Sequence, residues 1–304
     1  MKRKIIMVIA IITAIIAPLY AQRENDFEVS QNADNTITIT GYKGTVKNVV
    51  IPSTLYGLKV TIIGNFAFSN KGLTSVTIPD TVITIEDGEN YFGKGVFSHN
   101  PQLINIILGK GLKTIGTFAF SKSGLNEIII PDSVTNIGYG SFADCKLTKV
   151  ILGKGVQKID EHAFSRNQIT ELTLPSSLKE IGTCAFLYNQ IKKITFGTGL
   201  QIIGDGAFSD NQITELSLPS SLKEIGGNAF DNNQIQSIII PNTLISNIQN
   251  NAFGSTINRI TIPARMNDNT IRGLIEDSSF FNFWISQNRA GGTYVKRGPI
   301  WTKE

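Results

Sequence analysis

One stretch of this chain is written twice. Residues 168–189 read QITELTLPSSLKEIGTCAFLYN and residues 212–233 read QITELSLPSSLKEIGGNAFDNN; 17 of the 22 positions are identical and the copies start 44 residues apart. A looser copy, QIKKITFGTGLQIIGDGAFSDN, fills residues 190–211 between them. A unit that follows itself without a gap at this period is the mark of a solenoid. One such unit cannot stand alone. About seven apolar side chains per unit are worth on the order of 2 kcal/mol each when buried. Ordering the backbone costs roughly 1–2 kcal/mol per residue over the whole unit. Stacked neighbours have to close that deficit.

Within the unit, a strand phrase of the form apolar-x-x-apolar-x-apolar recurs ten times. It starts at Val46, Leu73, Leu103, Leu125, Leu147, Ile169, Ile191, Ile213, Ile235 and Ile257. Its fourth and sixth positions share one face, and its third and fifth share the other. The seventh position stops the strand. Pro52, Pro79, Pro131, Pro175, Pro219, Pro241 and Pro263 lack the N–H that a ladder needs. Gly109, Gly153 and Gly197 stand there in the remaining units. A Leu-x-x-Ile-Gly phrase follows, clear at 112–116, 178–182, 200–204 and 222–226 and with Val134 leading at 134–138, its glycine expected to supply a turn.

Next comes Ala-Phe or a variant, predicted to sit on a single helical or 3-10 turn. Stacked coil on coil, Phe68, Phe97, Phe120, Phe142, Phe164, Phe186, Phe208, Phe230 and Phe253 should form one continuous spine. Asn100, Asn167, Asn189, Asn211 and Asn233 recur three residues after the phenylalanine. A buried amide there can bond open backbone groups of adjoining coils. Cys145 takes that place in its own unit.

The rest of the chain frames this array. Residues 1–21 read as a signal peptide: basic Lys2, Arg3 and Lys4, an apolar run over 5–17, and a cleavage site after Ala21. The run is short for a permanent membrane anchor. Removing those three basic residues from the formal +4 leaves 25 basic against 24 acidic residues, so a nucleic-acid partner has no electrostatic support. Residues 22–45, with Phe27, Val29, Ile37 and Ile39 alternating, read as a β-hairpin cap. The solenoid is expected over 46–263, with an insertion near 86–96 that carries Tyr91 and Phe92. Residues 264–304 hold an aromatic block compatible with two short helices, then a segment able to fold back as a hairpin, together forming a C-terminal cap.

The unit Leu-x-x-Ile-x-Ile-Pro-x-Ser-Leu-x-x-Ile-Gly-x-x-Ala-Phe-x-x-Asn/Cys resembles the BspA-type leucine-rich repeats of bacterial surface proteins. The resemblance implies a mainly β repeat solenoid, a right-handed leucine-rich-repeat coil. It implies a long parallel sheet with short 3-10 or helical turns on the other side, between a β-hairpin N-cap and a helix-plus-hairpin C-cap. It further implies a secreted or surface-exposed adhesion protein that binds other proteins, often host extracellular ones, with no shared catalytic residues.

Candidate chemistry is sparse. His99 and His162 lie several coils apart and in no metal-ligand spacing. Cys145 and Cys184 stand two coils apart on opposite sides of their phenylalanines, beyond comfortable disulfide reach. Asp87, Glu89 and Asn90 in the insertion offer oxygen ligands without an EF-hand pattern.

The outward strand positions say more. The third positions read Glu127, Lys149, Glu171, Lys193 and Glu215 on consecutive coils. Alternation avoids like charges about 4.8 Å apart, and it equally makes a charged strip. The fifth positions read Val50, Thr77, Ile107, Ile129, Ile151, Thr173, Thr195, Ser217, Ile239 and Thr261. β-branched residues suit any strand, while a contiguous exposed apolar row marks a contact surface. The expected contact residues are therefore Ile107, Ile129, Ile151, Thr173, Thr195, Glu127, Lys149, Glu171, Lys193 and Glu215.

No catalytic, cofactor or metal residue is expected. The chain reads as an exported, monomeric, non-enzymatic binding module for a protein, with host extracellular-matrix and cell-surface proteins as the implied class. Two alternatives stay open: a periplasmic or envelope spacer, and an enzyme or enzyme inhibitor with its site in a cap or in the inserted loop.

Overall fold

The structure, a computed structural model, describes residues 22–89, 93–244, 247–275 and 277–304. The expected leader over residues 1–21 and the inserted Asn90, Tyr91 and Phe92 lie outside the described residues. Successive coils stack in register, and each touches its neighbours along three edges.

The first edge is the strand phrase. Strands such as Asn105–Ile107, Glu127–Ile129 and Lys149–Ile151 each turn their middle residue inward and their outer two toward solvent. The second edge is the Leu-x-x-Ile-Gly phrase. It forms two-residue strands, Thr84–Ile85, Thr114–Ile115, Asn136–Ile137, Lys158–Ile159, Glu180–Ile181, Ile202–Ile203 and Glu224–Ile225. These pair in parallel without a break and join Phe27–Gln31, Thr36–Tyr42, Thr54–Leu55 and Leu58–Ile63 in one eleven-stranded sheet. The long sheet is thus carried by the phrase that reads as a turn in the sequence.

The strand-phrase edge is instead cut into shorter sheets of three, two, two and four strands. Its seventh position accounts for most of the cuts. Wherever a glycine coil lies on a proline coil the strands pair: Gly109 on Pro79, Gly153 on Pro131, Gly197 on Pro175. A Cβ on those glycines would stand 2.2, 2.2 and 2.3 Å from the carbonyl oxygen of the proline below. Over each of those middle glycine coils the next coil carries a proline, which cannot approach as a glycine does, and there the ladder is cut. Asn105–Ile107 and Glu127–Ile129 do not pair, nor do Lys149–Ile151 and Glu171–Thr173, and only a single bridge joins Lys193 to Glu215. Proline on proline pairs at the two ends, where caps bond to the same strands: Gln22 to Val50, and Gly292–Arg297 to Arg259–Ile262. The structural repeat over the middle of the array is therefore a proline coil plus a glycine coil, which is why the near-identical copies stand 44 residues apart.

The third edge is the phenylalanine turn. Bonds such as Ala163 N to the Asp160 carbonyl and Ser165 N to the His162 carbonyl close two tight turns per coil. Between them a left-handed residue stands two places before the phenylalanine and another two places after it: Phe118 and Lys122, His162 and Arg166, Cys184 and Tyr188, all with φ between 53° and 57°. That alternation interrupts any 3-10 run and turns every second N–H along the solenoid axis. His162 N donates to Thr183 O, Phe164 N to Ala185 O and Arg166 N to Leu187 O on the next coil.

The core runs the whole length. Consecutive spine rings from Phe68 to Phe253 lie 5.1–5.6 Å apart and within 18° of parallel. Tyr42 extends the stack at the N-terminal end, 5.4 Å from Phe68. The asparagines form the expected ladder. Asn189 Nδ2 donates to the carbonyls of Phe164 and Phe186 at 3.0 and 3.1 Å, and its Oδ1 accepts from Ile169 N at 3.1 Å.

The hairpin Phe27–Gln31/Thr36–Tyr42 prolongs the eleven-stranded sheet at one end. At the other end, helices Asp268–Leu274 and Ser278–Ser286 bury Ile271, Leu274, Phe280 and Trp284, and the hairpin Gly292–Arg297/Ile300–Lys303 prolongs the strand-phrase edge.

Candidate functional site

The outward side of the strand-phrase edge gathers every residue of the expected contact set. Ile107 and Ile129 are each 64% exposed and Ile151 43%, an unusual state for isoleucine on a folded strand. Thr173, Thr195 and Ser217 continue the same column and are exposed, and Ile239 is exposed farther along.

The sheet opens between Ile107 and Ile129. There a groove of about 880 Å³ forms, floored by Ile106 and Ile128 and walled by Ile104, Ile107, Ile129 and Ile151. Its position follows from the stacking rule above: Pro131 lies over Gly109 and holds the two strands apart. Ile106 is left half-buried, whereas Ile128 and Val150 at the same strand position are buried.

Ile104, 52% exposed, escaped the sequence reading although it left a signal. It occupies the second position of the strand phrase, which is polar in all nine other units, from Lys47 and Thr74 to Gln236 and Asn258.

The charged column is in register. Glu127 stands opposite Lys149, Glu171 opposite Lys193, and Lys193 is bridged to Glu215. All five are exposed, and none of them makes an ion pair among the described residues. Their charges remain open to an external partner.

The other singled-out residues are not brought together. His99 and His162 occupy left-handed turn positions on different coils. Burial lowers the pKa of His99, helped by Lys122 and Lys94. The ring of His162 lies edge-on to Tyr139 at 5.6 Å. Cys145 and Cys184 are free thiols. Burial pushes the Cys145 thiol up to about 11, so it acts as a hydrogen-bond donor in the asparagine ladder. Cys184 is also raised, by burial and then by Asp205 and Glu161. Asp87 accepts from the N–H and hydroxyl of Thr117 at 2.8 and 2.9 Å, pinning the root of the insertion to the next coil. Among the described residues no group of three or more His, Cys, Asp or Glu is placed to hold a metal ion.

Stacked coils, a strand edge facing outward and a turn edge with a buried asparagine ladder define a leucine-rich-repeat solenoid. The BspA type leucine rich repeat region matches in six copies over residues 41–89, 90–213 and 179–289, and the chain belongs to that family. This makes it a repeat module of the protein-interaction kind. No curated protein matches it. Among solved structures it is similar to a leucine rich repeat protein of T. pallidum, at 24% identity and a TM-score of 0.47, over 70% of this chain and 89% of that one. It is similar also to a leucine rich cell surface protein of Faecalibacterium prausnitzii A2-165, at 21% identity and a TM-score of 0.40, over 87% and 97%. A third is the pneumococcal vaccine antigen PcpA, at 19% identity and a TM-score of 0.45, over 86% and 94%.

Proposed function

We propose that this protein is an exported, non-enzymatic binding module of the bacterial surface. It contacts other proteins through the outward side of its strand-phrase edge, with the isoleucine groove as the anchor. The observation that carries this reading is the cluster of Ile104, Ile107, Ile129 and Ile151, exposed side by side on a rigid frame. Burying such residues against a partner is worth on the order of 2 kcal/mol each, and anchors clustered in a groove dominate protein contacts. The basic-then-apolar N-terminal run and the family's surface setting support export. Among the described residues no helix is long and apolar enough to cross a membrane.

Host extracellular-matrix and cell-surface proteins are the first class to test. The experiment is a pull-down of a labelled matrix-protein panel on the purified protein and on an Ile107→Lys/Ile129→Lys variant, with circular dichroism as the folding control. Binding by the native protein and its loss from the folded variant is the expected result. Unchanged binding by the variant removes this face from the account.

A further inference from the structure

The outward face is complementary to itself. A two-fold axis lying in the face and running along the strands reverses the coil order and sets each outward column against its own copy. The charged column tolerates only some placements of that axis. With the axis through the Lys149 or the Glu171 coil, Lys meets Lys and Glu meets Glu. With the axis midway between those coils, Glu127 meets Lys193 of the second copy and Lys149 meets its Glu171, each pair occurring twice. This placement is also the middle of the ten-coil array, so it buries the most surface.

The neighbouring column gives the same answer. The central axis sets Ile151 against Thr173, Ile129 against Thr195, Ile107 against Ser217, Thr77 against Ile239 and Val50 against Thr261. Every pair joins one aliphatic side chain to one hydroxyl side chain, so no two large residues collide and each exposed aliphatic meets a short partner. All of the aliphatic members, Val50, Ile107, Ile129, Ile151 and Ile239, are more than two-fifths exposed in the single chain.

We infer that the partner of this face includes a second copy of the same chain, docked antiparallel about that central axis. The inference rests on the reading of the strand-phrase edge as the binding face. A face of ten coils, whose spine rings lie 5.1–5.6 Å apart, covers roughly 600–700 Å² per copy, a little below the size of a standard stable interface. The contact is therefore a weak one. Weak pairs between many displayed copies would hold cells together through avidity, and the monomer expected from sequence becomes one side of a concentration-dependent equilibrium.

Sedimentation velocity of the purified full chain over a concentration series tests this. The native protein should show a monomer–dimer equilibrium with Kd on the order of 10–100 µM, weakened by salt. Glu127→Lys alone and Lys193→Glu alone should each weaken self-association about tenfold, since each sets like charges together twice. A mixture of the two variants should restore dimers, because the two reversed positions then face each other across the axis with opposite charges. Circular dichroism establishes that both variants fold. A native chain that stays monomeric throughout, a dimer indifferent to both reversals, or variants that fail to rescue each other would overturn the inference. Loss of matrix-protein binding in the Ile107→Lys/Ile129→Lys variant is read separately, so the binding face can stand while the self-contact falls.

Discussion

At Cys145 the asparagine ladder carries a thiol, and the structure shows what the exchange omits. Cys145 Sγ donates to the Phe120 carbonyl at 3.2 Å, reproducing one of the amide's bonds. The other half of the amide's work is undone. In the equivalent place Leu147 N donates to Asn167 Oδ1 and Ile169 N to Asn189 Oδ1, whereas buried Leu125 N has no hydrogen-bond partner among the described residues. Leaving a buried donor unpaired costs about 1–3 kcal/mol. Cys145→Asn should therefore raise stability by about 1 kcal/mol, read as a higher urea midpoint. Asn189→Leu, which strips the same bonds from an intact rung, should lower it by about 2–3 kcal/mol. A Cys145→Asn protein with a lower midpoint would mean that this coil has closed against an amide. The spine and the ladder are both readable from the sequence, because phenylalanine and asparagine recur at a fixed offset. The left-handed positions are not. Phe118, His162, Cys184 and Asn228 fill one of those columns, and their identities share nothing, since the conformation is imposed by bonds to the next coil.

Between elements, the seventh strand position decides how closely coils approach. Gly153 shows the tight case: its missing Cβ would meet the Pro131 carbonyl oxygen at 2.2 Å, and that oxygen belongs to backbone held by the core on either side. Gly153→Ala should cost about 2–3 kcal/mol in chemical denaturation, as overpacking does where nothing can yield. Gly57→Ala is the control: nothing lies within 4 Å of its Cβ, and only its left-handed φ of 75° is at stake. Equal losses at both glycines would show that backbone conformation, and not coil spacing, governs position seven. The same position explains why the longer sheet was hidden. A two-residue strand such as Asn136–Ile137 is too short to show a period of two, so its Ile-Gly ending reads as a turn. The alternating strand phrase, conversely, promises a continuous ladder that proline stacked on glycine then interrupts. The outward columns and the Ile107–Ile151 row are legible in the sequence as a pattern of facing. The groove is not, because it depends on a gap between strands.

Across the whole molecule, stability is passed from coil to coil, so the ends decide whether the array stays closed. At the C-terminal end the exposed ion pairs Arg259–Glu304 and Arg289–Asp268 flank a more heavily bonded carboxylate, Asp277. Asp277 caps the helix Ser278–Ser286 through Ser279 N at 2.9 Å, and its second oxygen accepts from Lys296 Nζ at 2.7 Å and Trp301 Nε1 at 3.0 Å. One side chain thereby joins the helix to both strands of the terminal hairpin. Burial alone would raise its pKa; the hydrogen bonds from Lys296, Ser279 and Trp301 outweigh that and hold it well below the usual carboxylate range. A depressed carboxylate contributes stability that is complete above its unfolded value of about 4 and drains away as the pH falls below it. The cap should therefore loosen between about pH 4 and pH 2, before the coils do. Both tryptophans of the chain, Trp284 and Trp301, are buried in this cap, so their emission reports it alone while far-ultraviolet dichroism follows the coils. The expected result is an acid red shift of emission ahead of the loss of dichroism. Asp277→Asn should show red-shifted emission already at neutral pH, with little further change in acid. Coincident transitions in the native protein would place the weak point in the coils, and would mean that the array opens from its middle and not from its end.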